Sequence, residues 1–495
     1  MNPLASTKCA RRVFLALAAI SGIFLTAGCG SSNGTIQSLG GGFSTSSLKG
    51  QYVITQTGVG VVQVGTGTAF FSETTVFTAD GNGKITVTVD DFDQVGGPYN
   101  LPASETGIYS IASDGTGSLS FGGLNFAITM IDDSHFYIIE QDLFATASGL
   151  GEKQDTTAFT AAPSGTFVFK AHNIGTSSRV GGITITGGAI AGTEDLLTPG
   201  ILSSSQAIAT TTAMTAPDSN GSGKFTLSDG SSFNYYVVSA GKFHFMSNST
   251  SGSLEIGQAE TQTGSSFSLA TLGAGDSYVF GSSGDTSNPL GIHSAGVFTS
   301  DGNGKITGGE VDYVQDASVN SMLPVSGGSY TLAGSNGRGQ INLTLTGGTI
   351  SPQIFWMVDG SHAYFLADST AAVEDGTFSL QSGAPFTALT ALTTPGTFLM
   401  DGFDVAYKDR VGLFKPITSG FNWNQAANSF DVNLGGNPTA TATNGTYQVS
   451  SNGRVAVTVN NVDNTIVFYL SSPNSGFMVQ EDANIGGVFT QQASQ

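Results

Sequence analysis

Ten residues from Phe77 to Thr86, FTADGNGKIT, recur from Phe298 to Thr307 as FTSDGNGKIT. The two copies are identical at nine of ten positions and lie 221 residues apart. In each copy, apolar residues flank a turn-forming Asp-Gly-Asn-Gly and then alternate with threonine, the period of two that half-buried strands show. The stretch therefore predicts a β-hairpin within a duplicated β module.

The alternation also predicts the register of this hairpin. A two-residue Asn-Gly turn would place Phe77 opposite Thr88 and would mix the two faces of the sheet. A three-residue loop, 81–83, places Phe77 opposite Val87, and the faces then agree. We predict this loop as a type I turn followed by Gly83 in the left-handed conformation.

A second set of similar segments gives a shorter period of about 110 residues. The opening-strand segments are GQYVI at 50–54, GTFVF at 165–169, DSYVF at 276–280 and GTFLM at 396–400. We predict four modules, at 46–163, 164–272, 273–393 and 394–495, of which the second and fourth lack the intact Asp-Gly-Asn-Gly hairpin.

The strand pattern predicts an all-β fold of four tandem antiparallel modules. Each module is either a meander barrel or a β-sandwich, and the succession of local hairpins favours the barrel. Four such modules in tandem are expected to extend from the N-terminal segment and to engage a repeated ligand multivalently.

The N-terminus is typical of an exported protein. Residues 1–28 contain three basic and no acidic residues, and the apolar stretch Val13–Leu25 is too short to span a bilayer. Small residues before Cys29 resemble the bacterial lipobox, in which the cysteine is acylated and becomes the mature N-terminus. We therefore predict a lipoprotein signal peptide at 1–28 and lipid attachment at Cys29, with a flexible tether at 29–45.

Two details of this segment concern the route and the destination. Arg11 and Arg12 resemble a twin-arginine export motif, and export through the general secretory route stays equally open. Gly30 follows the cysteine where an aspartate would resemble the inner-membrane sorting signal, so the resemblance implies an outer-membrane lipoprotein facing the periplasm or the cell surface.

The charge balance limits the partners. Without the signal peptide the chain keeps 13 basic and 36 acidic residues, a net charge of −23. A field of this sign excludes a nucleic-acid binder that neutralises phosphates. Contact with a membrane should therefore come from the N-terminal acyl chains. The two cysteines, Cys9 and Cys29, both lie in the N-terminal segment, so no disulfide staples a module.

Few residues suggest chemistry. Asp80 and Asp301 are candidate metal ligands, although Lys84 at the fifth position excludes an EF-hand loop. No histidine pair has zinc-ligand spacing, and the one Gly-x-Ser-x-Gly match lies in the tether. We therefore predict no catalytic residue, no enzyme activity and no cofactor.

Carboxylates cluster at Asp90–Asp93, Glu194–Asp195 and Glu310–Asp312. We expect solvated strand ends, because the clusters recur after the same strand in more than one module. The alternative is an envelope enzyme that hydrolyses glycans through Asp91 or Asp312, since glycosidases use paired carboxylates.

Five residues are candidate ligand contacts. His135 and His362 occupy the same repeat position at the start of a closing strand, and Tyr137 and Tyr364 follow two residues later. Trp356 lies in a neighbouring alternating strand. The best candidate pocket is an aromatic-lined mouth of a barrel.

The repeats resemble the uncharacterised bacterial envelope lipoproteins built from F-x-x-D-G-x-G-x-I β-repeats. This resemblance covers nearly the whole chain and implies a repeat architecture without assigning chemistry. Together with the predicted anchor, it implies a lipid-anchored envelope protein with a non-enzymatic binding, adhesion or structural role. A glycan or a surface protein is the expected partner.

Overall fold

The computed structural model describes residues 42–60, 69–94, 97–100, 105–248, 253–264, 266–286, 291–332, 334–369, 372–403, 406–417, 420–423, 430–434, 437–441, 443–459 and 465–493. The predicted signal peptide, Cys29 and residues 30–41 of the predicted tether lie outside these ranges. Among the described residues the elements are β-strands and short 3-10 turns at Thr45–Ser47, Thr156–Thr160 and Leu269–Thr271. No helix in these ranges is long and apolar enough to cross a membrane.

The strands fall into four consecutive sets. The first module contains β1 (Lys49–Gly60), β2 (Ala69–Asp80), β3 (Lys84–Gln94), β4 (Gly97–Asn100), β5 (Glu105–Ile111), β6 (Thr116–Phe121), β7 (Leu124–Met130), β8 (His135–Glu140) and β9 (Ala145–Lys153). The second contains β10 (Gly165–Asn173), β11 (Ser177–Thr186), β12 (Ala189–Thr198), β13 (Ile201–Thr212), β14 (Ser222–Leu227), β15 (Ser232–Ser239), β16 (Lys242–Ser247) and β17 (Glu255–Thr261).

The other two modules follow in the same way. The third contains β18 (Ser277–Thr286), β19 (Ile292–Ser300), β20 (Lys305–Gln315), β21 (Ser318–Leu332), β22 (Arg338–Leu345), β23 (Gln353–Met357), β24 (His362–Ala367) and β25 (Ala372–Leu380). The fourth contains β26 (Gly396–Phe403), β27 (Tyr407–Ile417), β28 (Gly420–Trp423), β29 (Phe430–Leu434), β30 (Asn437–Thr441), β31 (Thr443–Val449), β32 (Arg454–Val459), β33 (Thr465–Ser472), β34 (Ser475–Gln480) and β35 (Asn484–Gln491).

In every module the first strand pairs antiparallel with both the second strand and the last one. The second and third modules are closed barrels in meander order. The first and fourth follow the same order with short additions, because β4 pairs with β3 and the β29–β30 hairpin pairs with β27. The predicted all-β fold of four antiparallel modules is confirmed, and the meander barrel is the architecture that forms.

The repeated hairpin has the predicted register, with Phe77 opposite Val87. Gly83 has a φ of +97°, as expected for the left-handed conformation. The type I turn is wrong, because Gly81 also has a positive φ, +80°. Glycine adopts this conformation without steric penalty, so two glycines permit a loop that other residues would disfavour.

Each barrel is filled by its own apolar side chains. The opening strands place one aromatic ring each in the four cores, at Tyr52, Phe167, Tyr278 and Phe398. The cavity described inside the second barrel has a volume of only about 20 Å³. The barrels are therefore packed scaffolds, as expected for eight-stranded barrels of this size.

A glutamine directly after the last strand of each module binds that module to the next. Gln154 Nε2 donates hydrogen bonds to the backbone carbonyls of Val237 at 2.7 Å and Asn220 at 3.2 Å, both in the second module. The other three glutamines make equivalent pairs of bonds: Gln262 to Met357 and Asn336, Gln381 to Leu470 and Asn452, and Gln492 to Met130 and Asp114. Because Gln492 binds the first module, the four barrels form a closed ring.

Each of these glutamines lies against a glycine with a left-handed backbone. The four glycines are Gly115 (φ +88°), Gly221 (φ +74°), Gly337 (φ +80°) and Gly453 (φ +91°). A Cβ atom on Gly115 would lie 2.5 Å from Gln492 Nε2. The glycine therefore serves both the turn and the close approach of the neighbouring module.

Apolar side chains on the outer faces of the barrels fill the four contacts between neighbouring modules. They are Val53, Val76, Tyr236, Val238 and Met246 between modules 1 and 2; Val168, Val180, Leu197, Trp356, Val358, Tyr364 and Leu366 between 2 and 3; Val279, Ala295, Val297, Val314, Val467, Tyr469 and Val479 between 3 and 4; and Ala127, Tyr137, Ile139 and Val411 between 4 and 1. Each buried side chain of this kind contributes about 1.5–3 kcal/mol, against about 1 kcal/mol for one hydrogen bond. Apolar burial thus supplies most of the contact energy, and the glutamines fix the register.

The ring corrects the expectation that four modules extend from the N-terminus. The described modules instead close on themselves, because each barrel carries one apolar outer face for its predecessor and one for its successor. An extended array would leave the outer faces of the first and fourth barrels in water.

Gly115→Ala should loosen the contact between the fourth and first modules, because the new methyl group collides with the Gln492 side chain. Gly230→Ala is the matched control, since Gly230 has a φ of +92° but a Cβ there meets nothing within 4 Å. Both variants carry left-handed strain of about 1–2 kcal/mol. Only Gly115→Ala should speed amide hydrogen exchange across 486–493, by about tenfold. Equal exchange of this segment in the two variants would contradict the role given to Gln492.

Candidate functional site

Three of the predicted strand-end carboxylates, Asp91, Asp195 and Asp312, lie between barrels and not in solvent. Asp91 accepts a hydrogen bond from Asn234 Nδ2 at 2.7 Å and a short one from the Tyr236 hydroxyl, both in the second module. At equivalent positions Asp195 accepts from Trp356 Nε1 and Arg338, and Asp312 accepts from Tyr469 and Arg454. The expectation of solvated strand ends is wrong, because the next barrel covers the face on which these residues lie.

This burial bears on the alternative of glycan hydrolysis. Asp91 is 8 % exposed and Asp312 is fully buried. A glycosidase needs two carboxyl groups on either side of a bond in an accessible cleft. Asp91 and Asp312 lie instead in two different contacts between modules, where neighbouring side chains donate hydrogen bonds to each of them.

Trp356 and Tyr364 lie in the contact between the second and third barrels, not at a barrel mouth. Both side chains are buried, and both pack in the apolar cluster defined above for that contact. The Tyr364 hydroxyl accepts a hydrogen bond from Gln258 Nε2 at 2.7 Å. The geometry gives both residues a role in joining two modules, and ligand binding by them stays a prediction.

The structure separates the two equivalent histidines. His135 Nδ1 lies 2.9 Å from Asp132 Oδ1, and the Tyr137 hydroxyl lies 2.8 Å from Thr490 Oγ1 of the fourth module. His135 and Tyr137 line one cavity together. His362 instead bonds the Thr377 hydroxyl within its own barrel, at 2.8 Å.

Asp80 and Asp301 cap their hairpin turns. Asp80 Oδ1 accepts the backbone N–H groups of Asn82 at 2.6 Å and Lys84 at 3.0 Å, and Asp301 does the same in the third module. These hydrogen bonds lower the pKa of both carboxyl groups. The described ranges contain no group of three or more His, Cys, Asp or Glu residues placed to hold a metal ion.

The main cavity lies where the four barrels meet, and we call it the axial cavity. Its volume is about 770 Å³, and each module contributes lining residues, among them Thr57, His172, Ser283 and Asp401. Two smaller cavities, of about 170 and 200 Å³, share Ser283 and Asp401 with it. The axial cavity therefore exists only because the ring is closed.

The lining differs from module to module although the scaffold repeats. Three residues after the inward aromatic of each opening strand lie Thr55, Lys170, Gly281 and Asp401, and five residues after it lie Thr57, His172, Ser283 and Phe403. All eight positions line the cavities at the centre of the ring. The barrels repeat around the ring, but the residues that line its centre do not. A single, asymmetric binding site requires such a difference.

His172 joins the second module to the third in this lining. Its Nδ1 lies 2.9 Å from Asp375 Oδ2 and its Nε2 lies 2.7 Å from Asp285 Oδ2. Burial alone would lower the pKa of His172, but the hydrogen bonds to Asp285 and Asp375 raise it to about 10. Burial raises the pKa of Asp375, but Lys170 and His172 outweigh this effect and lower the pKa to about 2. The imidazole is therefore charged at neutral pH.

A second charged group joins the first module to the second. Glu152 accepts from Lys242 Nζ at 3.0 Å and lies 2.5 Å from His244 Nε2. Burial raises the pKa of Glu152, yet His244 and Lys242 outweigh it and lower the pKa overall. Lys170, His172, Glu152 and Asp375 were all missed from sequence. A signal was present for Lys170 and His172, because the opening strands match in register and differ at these positions.

Comparison with known protein-family models finds no match, and comparison of the sequence with curated proteins finds none either. Among solved structures, a mutant of the vaccine antigen transferrin-binding protein B from Haemophilus parasuis Hp5 covers 69 % of this chain and 77 % of its own, at 8 % identity and a TM-score of 0.20. A double mutant of the same antigen covers 67 % of this chain and 75 % of its own, at 7 % identity and a TM-score of 0.19. The intact N and C lobes of Ap-TbpB cover 90 % of this chain and 77 % of their own, at 8 % identity and a TM-score of 0.12. Likenesses this weak carry no argument about the function of this chain.

His172→Gln should destabilise the ring at pH 7 by about 3 kcal/mol, because the buried Asp375 and the half-buried Asp285 lose the cation between them. The contribution of His172 is complete below about pH 6.5, the pKa of an unfolded histidine, and is lost as pH rises through about 10. Denaturant unfolding should therefore show a smaller difference in the free energy of unfolding between His172→Gln and wild type at pH 10.5 than at pH 7.

His362→Gln is the control for this experiment. Burial lowers the pKa of His362, so this residue is neutral throughout the same pH range. Its difference from wild type should not change between pH 7 and 10.5. A difference for His172→Gln that stays constant over this range would show that His172 is not charged in the ring.

Proposed function

We propose that this protein is a lipid-anchored, non-enzymatic binding protein of the bacterial cell envelope, with the axial cavity as its ligand site. The observation that carries the proposal is the contrast within the ring. Contacts between modules repeat four times, whereas the lining of the central cavity does not repeat. A lining that differs in every module fits one ligand held by four modules.

The proposed anchor is the acyl group on Cys29. The support is in the sequence: a basic segment, a short apolar stretch, small residues before the cysteine, and the tether that follows. The net charge of −23 disfavours direct contact with an anionic membrane. The resemblance of residues 25–30 to a lipobox without an aspartate after the cysteine supports the outer membrane.

Cys29→Ala should move the protein from the membrane fraction to the soluble fraction and abolish incorporation of labelled palmitate. Cys9→Ala, within the predicted signal peptide, is the matched control and should change neither property. Membrane fractionation with detergent extraction measures both. Unchanged membrane partitioning of Cys29→Ala would refute the anchor.

The expected ligand has polar groups and apolar surface, because the cavity wall combines charged and hydroxyl side chains with apolar ones such as Ile131, Leu150 and Val488. A glycan, or an exposed segment of a surface protein, meets this description.

A glycan and protein array probed with the purified chain tests the proposal. Ser283 lines all three central cavities, so Ser283→Trp should obstruct them, and Ser110→Trp, on an exposed strand position, is the control. Loss of a bound ligand only in Ser283→Trp supports the axial site, whereas equal binding by both variants would place binding elsewhere.

A further inference from the structure

The geometry points to a small organic cation as the ligand of the 170 Å³ cavity, either a primary amine or a quaternary ammonium compound. We call this cavity the side cavity; it shares Ser283 and Asp401 with the axial cavity. The inference rests on the proposed binding function and names a ligand class for part of its site. The lining used below consists of Asp285, Asp401 and Asp409, His172 and His293, and Phe70, Phe403 and Tyr407.

The carboxylates of the side cavity exceed its cations. Asp285 is matched by His172, at 2.7 Å. Asp401 and Asp409 lie directly opposite each other on β26 and β27. Asp401 Oδ2 accepts a hydrogen bond from Ser148 at 2.9 Å, and within the described part of the chain neither Asp401 nor Asp409 forms an ion pair. Burial raises the pKa of Asp409 well above its usual range, and the facing Asp401 raises it further. A cation bound between these two carboxyl groups would therefore favour the charged form of Asp409.

Two deeply buried polar atoms in the same lining lack partners. Asp409 is 5 % exposed and His293 is 7 % exposed. Among the described residues, Asp409 Oδ2 and His293 Nδ1 have no hydrogen-bond partner. Leaving such an atom unpaired is unfavourable, because burial has removed its hydrogen bonds to water. A donor supplied by a ligand would satisfy Asp409 Oδ2, and an ammonium group is a donor with the required charge.

Aromatic rings complete the lining. Phe70 of the first module and Phe403 of the fourth each lie edge-on to Tyr407, with ring centroids 5.5 and 5.3 Å apart. A cation within about 6 Å of an aromatic face is attracted by its quadrupole, more strongly when water is excluded. Three rings beside two carboxyl groups that form no ion pair with a described side chain suit an ammonium group better than a neutral polar molecule.

An organic cation also explains the spacing of the carboxyl groups. No group of three His, Cys, Asp or Glu residues in the described ranges is close enough to hold a metal ion. A metal ion requires its ligands to converge on one point at about 2.0–2.6 Å. An amine with a carbon chain instead requires acceptors and rings spread along a cavity, as they are here.

Isothermal titration of the purified full-length protein with putrescine and with 1,4-butanediol, of the same chain length but uncharged, tests the inference. Choline is the quaternary probe, and calcium chloride is the metal probe. Saturable binding of an amine or ammonium probe with no binding of the diol is the expected result. Asp401→Asn and Asp409→Asn should each weaken amine binding by about tenfold or more.

Asp229→Asn is the matched control, because it removes one carboxylate that lies outside the three central cavities. This variant should bind amines as the wild type does, and circular dichroism checks that all variants are folded. If Asp409→Asn does not fold, weaker amine binding by Asp401→Asn and Tyr407→Leu tests the inference instead. Equal binding of the diol, equal weakening by Asp229→Asn, or tighter binding of calcium than of any amine overturns the inference. A ligand from the array that is lost in Ser283→Trp while no amine binds overturns it too, and leaves the proposed function standing.

Discussion

The paired hydrogen bonds from the four interdomain glutamines are the constraint on which the rest of the structure depends. Each glutamine fixes the position of its barrel on the next one, because it donates hydrogen bonds to two backbone carbonyls beside a left-handed glycine. Backbone carbonyls cannot be repositioned by a change of rotamer, so this contact fixes an angle as well as a distance. The four contacts together close a ring, and the last of the four glutamines, Gln492, completes it.

Ring closure explains why packed barrels can have a shared site. The interiors of the barrels are filled with aromatic and aliphatic side chains, which leaves their outer faces as the surfaces open to change. Two of these faces in each barrel are committed to its neighbours. The opening strands also contribute to these contacts, but their positions that face the centre carry residues that differ from module to module. A duplicated fold thus acquires a single asymmetric cavity without changing the scaffold.

The sequence predicted the features that depend on local patterns. The register of the hairpin that begins at Phe77 followed from the parity of its alternation, and the all-β class followed from the same period. The turn type was wrong because a glycine at 81 leaves the backbone freer than the pattern can indicate. The burial of Asp91 and Asp312 could not be predicted, since it depends on a neighbouring barrel far along the chain. His172 and Asp375 lie 203 residues apart and meet only in the ring.

One long-range feature did leave a signal in the sequence. Gln154, Gln262, Gln381 and Gln492 follow equivalent closing strands at intervals close to the module length. The Asx-Gly pairs that receive them, at 114–115, 220–221, 336–337 and 452–453, recur in the same way. A repeat alignment alone, however, cannot distinguish a linear array from a ring. In both arrangements the first three glutamines contact the next module, and only the contact of Gln492 with the first module differs.

Small-angle X-ray scattering of the mature chain without its lipid tests the closed ring most directly. A compact chain of this length has a radius of gyration of about 23 Å. The ring predicts a value close to this, slightly increased by the tether, with a single compact peak in the pair-distance distribution. A clearly larger radius with an elongated distribution would show four barrels in a row and would contradict the ring.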